Sequence, residues 1–138
     1  MTLIRSFPPL ADTSNSWIKL FTQIHDQYIP KLPMDGNVGY GFALAYTFVD
    51  ALGKAGANPT RQSFVDTLEK GGLTGPGLVP FRFSADSHAG YTGVQLGTIK
   101  NGAFTSEGKP MTTDDGSGQI KESDQAPTEA PANGIPAS

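Results

Sequence analysis

The chain has 138 residues, enough for one domain but not for a complete two-domain binding protein or a large enzyme. Its 17 Gly and 11 Pro form about a fifth of the chain, while hydrophobic residues form 37%, so we expect part of the chain to stay unpacked. The absence of Cys excludes disulfides, thiol catalysis and Cys-based metal sites.

The negative charge of the chain is concentrated at its end. From Glu107 onward there are six acidic residues against two lysines, which leaves residues 1–106 with a net charge of +1. A nearly neutral body without a Lys/Arg cluster does not attract nucleic acid or an anionic membrane surface. The sequence therefore predicts no nucleic-acid partner. We also find neither the apolar stretch of a signal peptide nor the run of about 20 apolar residues that spans a membrane.

Three segments have apolar residues at helical spacing, and they predict helices near residues 14–29, 38–55 and 60–71. The first presents a predicted core stripe of Trp17, Leu20, Phe21, Ile24 and Tyr28. We expect its His25 to lie partly exposed on the surface rather than to act as a base. The second helix is rich in small residues and is expected to be largely buried. Thr60 is the predicted N-cap of the third helix.

A β-hairpin is predicted after the helices, from about residues 78–83 and 92–105. In its second arm Val94, Leu96 and Thr98 alternate with Gln95 and Gly97, a pattern typical of a half-exposed strand. Asn101-Gly102 is a strong signal for a tight turn.

The remaining residues are rich in Gly, Pro, Ser, Thr and acids, and they offer little apolar surface to offset the entropy cost of ordering. We therefore expect nothing regular after Gly108. The predicted organisation is a lead segment of residues 1–13, a domain of residues 14–107 and a disordered acidic tail of residues 108–138.

We interpret the polar motifs as structural rather than catalytic. Asp86-Ser87-His88 contains an acid, a hydroxyl and an imidazole, but residues this close in sequence rarely reach triad geometry, so a turn is the preferred interpretation. A small hydrolase that uses Asp86 and His88 is the alternative. Gly75-Pro76-Gly77 lacks the continuation of a phosphate-binding loop and is interpreted as a turn, and residues 112–116 do not match EF-hand spacing. We predict a non-enzymatic chain without a metal or other cofactor.

One location suggests binding, namely residues 35–39 just before the second helix. Helix N-termini present free N–H groups and a partial positive charge, which favour a carboxylate or another anion. Asn37 and Tyr40 lie at this position. An alternative stays open, in which Asn37 is only the N-cap and Tyr40 only a core aromatic residue.

Three stretches together resemble the C-terminal part of the substrate-binding proteins of branched-chain amino acid ABC transporters, which are type I periplasmic binding proteins of the Leu/Ile/Val-binding type. The stretches are residues 37–56 (NVGYGFALAYTFVDALGKAG), 60–69 (TRQSFVDTLE) and 75–95 (GPGLVPFRFS, then HAGYTGVQ). The ordered set is more specific than any one element, and the resemblance spans about residues 14–118.

This resemblance implies an α/β protein with two Rossmann-like lobes that close on a small solute and deliver it to an ABC permease, in the periplasm or on the exterior of the cell envelope. The chain is similar only to the final third of such a protein, without the regions that supply the main ligand clamps, so we expect a fragment unable to bind alone. By position, Asn37 and Tyr40 correspond to neighbours of the interlobe cleft and are the candidate ligand-binding residues.

The resemblance leaves the cargo and the biological role open. An amino acid, a short amide or an aromatic acid would fit such a protein. A sensory or regulatory ligand-binding module is the alternative role, because the same fold occurs in receptor ectodomains and repressors. In either role the isolated chain is expected to be marginally stable or self-associating, since its second helix carries a broad apolar surface.

Overall fold

The computed structural model describes residues 2–112 and 119–136. These residues form a small α/β domain with three helices and an antiparallel sheet. The elements in chain order are β1 (Thr2–Arg5), α1 (Ser16–Tyr28), α2 (Gly36–Lys54), α3 (Arg61–Lys70), β2 (Gly93–Lys100), β3 (Ala103–Ser106), β4 (Met111–Thr112) and β5 (Lys121–Glu122). The three predicted helices are confirmed, with boundaries that differ by a few residues.

Each helix begins at a side-chain cap. Asn15 accepts the N–H groups of Trp17 and Ile18 at the start of α1. Thr60 caps α3, as predicted, in a reciprocal pair with Ser63. The N-cap of α2 is Asp35 rather than Asn37, so this helix begins at Gly36, before the predicted start.

The core lies between α1 and α2. Trp17, Phe21, Ala43 and Tyr46 are buried together, and the rings of Trp17 and Tyr46 meet edge to face with centroids 4.7 Å apart. The prediction for the core stripe of α1 is wrong for its last residue, because Tyr28 is 70% exposed. The predicted surface position of His25 is also wrong. This side chain is buried where the chain turns back after α1, and its Nε2 lies 2.6 Å from the Leu32 carbonyl oxygen.

Strand β2 is the centre of the sheet. Its register with β1 pairs Gln95 with Arg5, and it continues through Asn101-Gly102 into the antiparallel strand β3. Both turn residues have positive φ, 52° and 76°, as a tight hairpin turn of this type requires. The predicted turn and the predicted alternation along β2 are therefore confirmed, with Gln95 and Gly97 on the buried face.

The predicted first arm of the hairpin is wrong. Residues 78–83 form no strand; Pro80 lacks the N–H that a central strand needs. β2 pairs instead with β1 from the lead segment, which we had not assigned to the sheet. Gly75-Pro76-Gly77 is not a surface turn either, because all three residues are buried. A side chain at Gly75 would overlap the hydroxyl of Tyr91, so close packing explains this glycine.

The prediction that nothing regular follows Gly108 is wrong for the described part of the tail. β4 pairs with the first two residues of β2, and β5 pairs with β4. Farther on, Trp17 Nε1 donates to the carbonyl oxygen of Thr128, and Thr128 Oγ1 donates to the carbonyl oxygen of Gly75 at 2.7 Å. Polar contacts to the domain thus order a segment that is poor in apolar residues. The acidic motif of residues 112–116 lies, from residue 113 onward, outside the described residues.

One face of α2 is only partly covered by the described chain, so the prediction that this helix is largely buried is also wrong. This face carries five exposed large apolar residues, which we call the α2 stripe: Tyr40, Leu44, Phe48, Val49 and Leu52. Their exposed fractions lie between 38% and 54%. The only charged residues within α2 are the buried Asp50 and the terminal Lys54, so the stripe itself carries no charge. None of the described helices has both the length and the apolar character needed to cross a bilayer.

Candidate functional site

A cavity of about 390 Å³ lies beside the start of α2, at the position that the sequence indicated. We call it the Arg5 cavity. It is lined by residues 5–10 of the lead segment, Ile18 and Phe21 of α1, Gly36, Gly39 and Tyr40 of α2, and Pro76. Its volume lies within the range of about 300–1,000 Å³ that is typical of small-molecule sites.

Arg5 is the charged residue of this cavity. Its Nη1 atom is buried and has no hydrogen-bond partner among the described residues. The guanidinium carbon lies 3.9 Å from the ring centroid of Phe104, which holds the side chain by a cation–π contact. Burial lowers the pKa of Arg5, but a guanidinium remains protonated at neutral pH. The cavity therefore has one positively charged lining residue, whose Nη1 atom is buried and unpaired among the described residues.

The N-terminus of α2 does not act as the free anion site that we predicted. The Asp35 carboxylate accepts the N–H group of Asn37 at 2.9 Å and that of Val38 at 3.0 Å. These two donors are thus already paired with a carboxylate of the chain itself. Asp35 also places a negative charge at the helix terminus, so attraction for a ligand anion rests on Arg5 instead.

The two predicted site residues have different positions. Tyr40 is 49% exposed and lines the Arg5 cavity, with its ring 5.6 Å from that of Phe7 in an edge-to-face contact. Asn37 is exposed on the first turn of α2 and does not line this cavity. Neither part of the alternative holds, because Asp35 is the N-cap and Tyr40 is not in the core.

A second cavity, of about 540 Å³, shares the rings of Phe7 and Tyr40 with the first. We call it the aromatic groove. Seven aromatic residues line it: Phe7, Tyr40, Phe48, Phe64, Phe81, Phe83 and Tyr91. They come from the lead segment, α2, α3 and the loop before β2, so the fold gathers rings that are far apart in sequence.

A buried acidic side chain on α2 was not singled out by its sequence. Asp50 is 1% exposed, and its Oδ2 atom accepts the N–H of Thr74 at 2.7 Å and Lys54 Nζ at 3.0 Å. Lys54 Nζ also donates to the carbonyl oxygen of Gly72 at 2.8 Å. The pKa of the neighbouring Tyr46 is raised to about 12, mainly by burial and to a smaller extent by the charge of Asp50. Asp50 therefore anchors the loop after α3 to α2.

The two histidines are engaged with neighbouring groups. His25 lies between the carboxylate of Asp26, 2.8 Å from Nδ1, and the carbonyl oxygen of Leu32. His88 Nε2 lies 3.1 Å from Glu69, and its ring stacks on Phe83. Ser87 pairs with Ser84 through backbone hydrogen bonds, so residues 84–87 form the predicted turn. The described residues contain no group of three or more His, Asp or Glu suited to a metal ion.

Comparisons with protein-family models, with curated proteins and with solved structures found no match for this chain. Arg5 is the site residue that sequence reasoning missed. The available signal was a single arginine within the mostly apolar residues 3–10, two residues before a Phe-Pro-Pro sequence.

Proposed function

We propose that this chain is the C-terminal part of a two-lobed, Rossmann-like solute-binding protein that serves ABC-transporter uptake. In this proposal the solute is an amino acid or a related small carboxylate, and the partner of the full-length protein is an ABC permease. The site of action is the periplasm or the exterior of the cell envelope. The chain is proposed to have no catalytic role.

The observation that carries the proposal is the charged Arg5 side chain among the lining residues of a cavity beside Tyr40. A carboxylate is the preferred partner of a guanidinium, because its two oxygens match the planar fork of donors. Apolar groups of Ile18 and Phe21 line the same cavity and suit an aliphatic side chain. A small amino acid combines these two features.

The α2 stripe supports the second part of the proposal, that the chain is half of a clamp. Exposed apolar patches beyond a few hundred Å² usually mark a missing partner. Five large apolar side chains on one uncharged helix face fit that description. In the full-length protein the missing part of the lobe would cover this face, and the second lobe would close over Tyr40 and the exposed Asn37.

A sensory or regulatory ligand-binding module is the second candidate, since the same cavity would serve it. Neighbouring coding sequence discriminates the two roles. A permease or ATPase gene beside this one favours transport, whereas a fused kinase or DNA-binding helix favours sensing. A hydrolase that uses Asp86 and His88 has less support, because His88 faces Glu69 and not a nucleophile. Its test is a loss of hydrolytic activity in His88→Ala.

Calorimetry tests the proposal. The 138-residue chain, titrated with leucine, isoleucine, valine and small amides, is expected to show no saturable binding below about millimolar concentration, because half a clamp lacks several charge-assisted hydrogen bonds of about 1.5–3 kcal/mol each. A protein extended by its upstream coding region is expected to bind one of them at micromolar concentration. Micromolar binding by the chain alone would contradict the fragment proposal.

Substitutions in the extended protein test the position of the site. Arg5→Gln should weaken binding by roughly 10- to 150-fold, the loss of one charged hydrogen bond. Tyr40→Ala and Asn37→Ala should also weaken it, whereas Arg82→Gln, at an exposed arginine outside the Arg5 cavity, is the matched control. Tight binding that survives all three site substitutions would show that the cleft lies elsewhere.

A further inference from the structure

The aromatic groove contains a continuous series of ring contacts, of which the proposed function uses only Tyr40. Six rings follow one another in the order Tyr40, Phe7, Tyr91, Phe81, Phe83 and His88, with centroids 4.7–6.0 Å apart. A pair from α2 and α3, Phe48 and Phe64, adds two further rings at a centroid distance of 5.4 Å. These distances are typical of offset-stacked and edge-to-face contacts.

Glycines hold several of these rings in place. A Cβ atom at Gly90 would overlap the ring of Phe81, and one at Gly75 would overlap the hydroxyl of Tyr91. A Cβ atom at Gly77 would lie 3.0 Å from the Tyr91 ring. Because these rings pack directly on backbone, they have little room to move. The groove is therefore preformed, which lowers the ordering cost of binding.

Two hydroxyl groups of the groove are paired within the chain. Thr47 Oγ1 donates to the Ala43 carbonyl oxygen at 3.0 Å, and the Tyr91 hydroxyl lies 3.3 Å from that oxygen. Burial is the main cause that raises the pKa of Tyr91 to about 12, so this hydroxyl stays uncharged at neutral pH. No Asp, Glu, Lys or Arg is among the lining residues of the groove, and Nε2 of the lining residue His88 lies 3.1 Å from Glu69. The described groove thus presents no unpaired charge to a ligand.

We propose that the aromatic groove binds a planar aromatic compound that is uncharged over the part that enters. Aromatic rings gain stacking and edge-to-face contacts with this lining beyond their buried area, whereas an aliphatic ligand of equal size does not. The volume of about 540 Å³ admits a small-molecule ligand. This inference goes beyond the proposed function, because it concerns a different cavity, which is open in the 138-residue chain. In the proposed full-length protein the missing part of the lobe would cover the α2 side of this groove.

The test is a titration of the ¹⁵N-labelled 138-residue chain with indole, followed by NMR, with cyclohexanol as the aliphatic control. Indole is expected to shift the resonances of residues 81–91 and of the middle of α2 in a saturable way, at a several-fold lower concentration than cyclohexanol. Equal affinity for both compounds, or no saturation with indole, would overturn the proposal. Shifts that follow protein rather than indole concentration would make a second copy the occupant, and would overturn it too.

Two variants locate the binding. Phe48 is 54% exposed, so Phe48→Leu removes a groove ring without emptying the core, and it should weaken indole binding roughly two- to tenfold. Tyr28→Leu removes an exposed ring outside the groove and should leave the affinity unchanged. Equal effects of the two variants would overturn the proposal. The outcome is independent of the amino-acid titration, which reports on Arg5.

Discussion

Asp50→Ala is expected to destabilise the domain, because it removes the anchor between α2 and the loop after α3. The Asp50 carboxylate accepts two hydrogen bonds, from the Thr74 N–H and from the Lys54 ammonium. Hydrogen bonds to a charged group contribute about 1.5–3 kcal/mol each. Their loss would therefore cost about 3–6 kcal/mol if nothing compensated for it.

Two features of the structure reduce this loss. The Asp50 Oδ1 atom is buried without a hydrogen-bond partner among the described residues, so removal of the carboxylate also removes a desolvation penalty of about 1–3 kcal/mol. Lys54 is 28% exposed and keeps its bond to the Gly72 carbonyl oxygen, so it is not left as a buried unpaired charge. From the middle of each range, a loss of about 4–5 kcal/mol and a relieved penalty of about 2, the net decrease in the free energy of unfolding is about 2–3 kcal/mol.

Urea unfolding followed by circular dichroism measures this change. A loss of about 2–3 kcal/mol lowers the urea midpoint by roughly 1 M for a slope of about 2 kcal/mol/M. The matched control is Asp66→Ala, the same change at an exposed position of α3, where among the described residues the Asp66 side chain accepts a hydrogen bond from Gln62. The control should move stability by less than about 0.5 kcal/mol. If Asp50→Ala is as stable as the control, the burial cost of Asp50 outweighs its hydrogen bonds and the anchor argument is refuted.

Three further predictions concern pH, packing and association. The pKa of His25 is raised by its hydrogen bond with Asp26 and, to a smaller extent, by that with the Leu32 carbonyl. The stabilising contribution of protonated His25 is therefore complete below its ordinary pKa of 6.5 and is lost as pH rises through the folded-state pKa. Urea midpoints at pH 5.5 and 8.5 should therefore differ more for the wild type than for His25→Gln, and equal differences would contradict this role. Gly75→Ala should lower the free energy of unfolding by about 1–3 kcal/mol, because its Cβ would overlap Tyr91. Gly41→Ala, with nothing near its Cβ, should raise the free energy of unfolding by about 0.5–1 kcal/mol. A Gly75→Ala variant as stable as the wild type would refute the packing argument. The α2 stripe predicts self-association and binding of a hydrophobic dye, which light scattering after size-exclusion chromatography and dye fluorescence would detect; a monodisperse monomer that binds no dye would contradict the prediction.

The helices could be predicted because their signals are local. Apolar spacing located all three, and Thr60 was recognised as a cap from its place before α3. The start of α2 was less clear, since Asp35 and Asn37 are both good capping residues and only the backbone decides between them. Burial of α2 was misjudged because helical periodicity identifies an apolar face but not whether a neighbour covers it.

The sheet was harder because its pairing is non-local. β1 and β2 lie about 90 residues apart, and nothing within residues 2–5 indicates which strand they will join. Residues 78–83 look strand-like because Phe81 and Phe83 alternate with polar neighbours, yet both rings turn into the aromatic groove. Pro80 was the local signal against a central strand.

The candidate site shows the same division between local and non-local information. Tyr40 could be placed beside a cavity because it lies at the start of a helix, a local feature. Arg5 acquires its position only through the pairing of β1 with β2, which also brings Phe104 under its guanidinium. Asp50 lies within an apolar helix, and its partner Thr74 belongs to a loop that periodicity cannot place.

Amide hydrogen exchange with and without saturating leucine, in the protein extended by its upstream coding region, tests the solute-binding proposal most directly. Closure on a ligand at the Arg5 cavity should slow exchange at residues 5–7 and 36–40, and Arg5→Gln should shift the leucine concentration needed for this protection upward by roughly 10- to 150-fold. Exchange at β4 and β5, which do not line the cavity, should not change. Leucine binding that leaves residues 5–7 and 36–40 unprotected would contradict the placement of the site, and the absence of any protection with every amino acid and amide tested would contradict the proposed function.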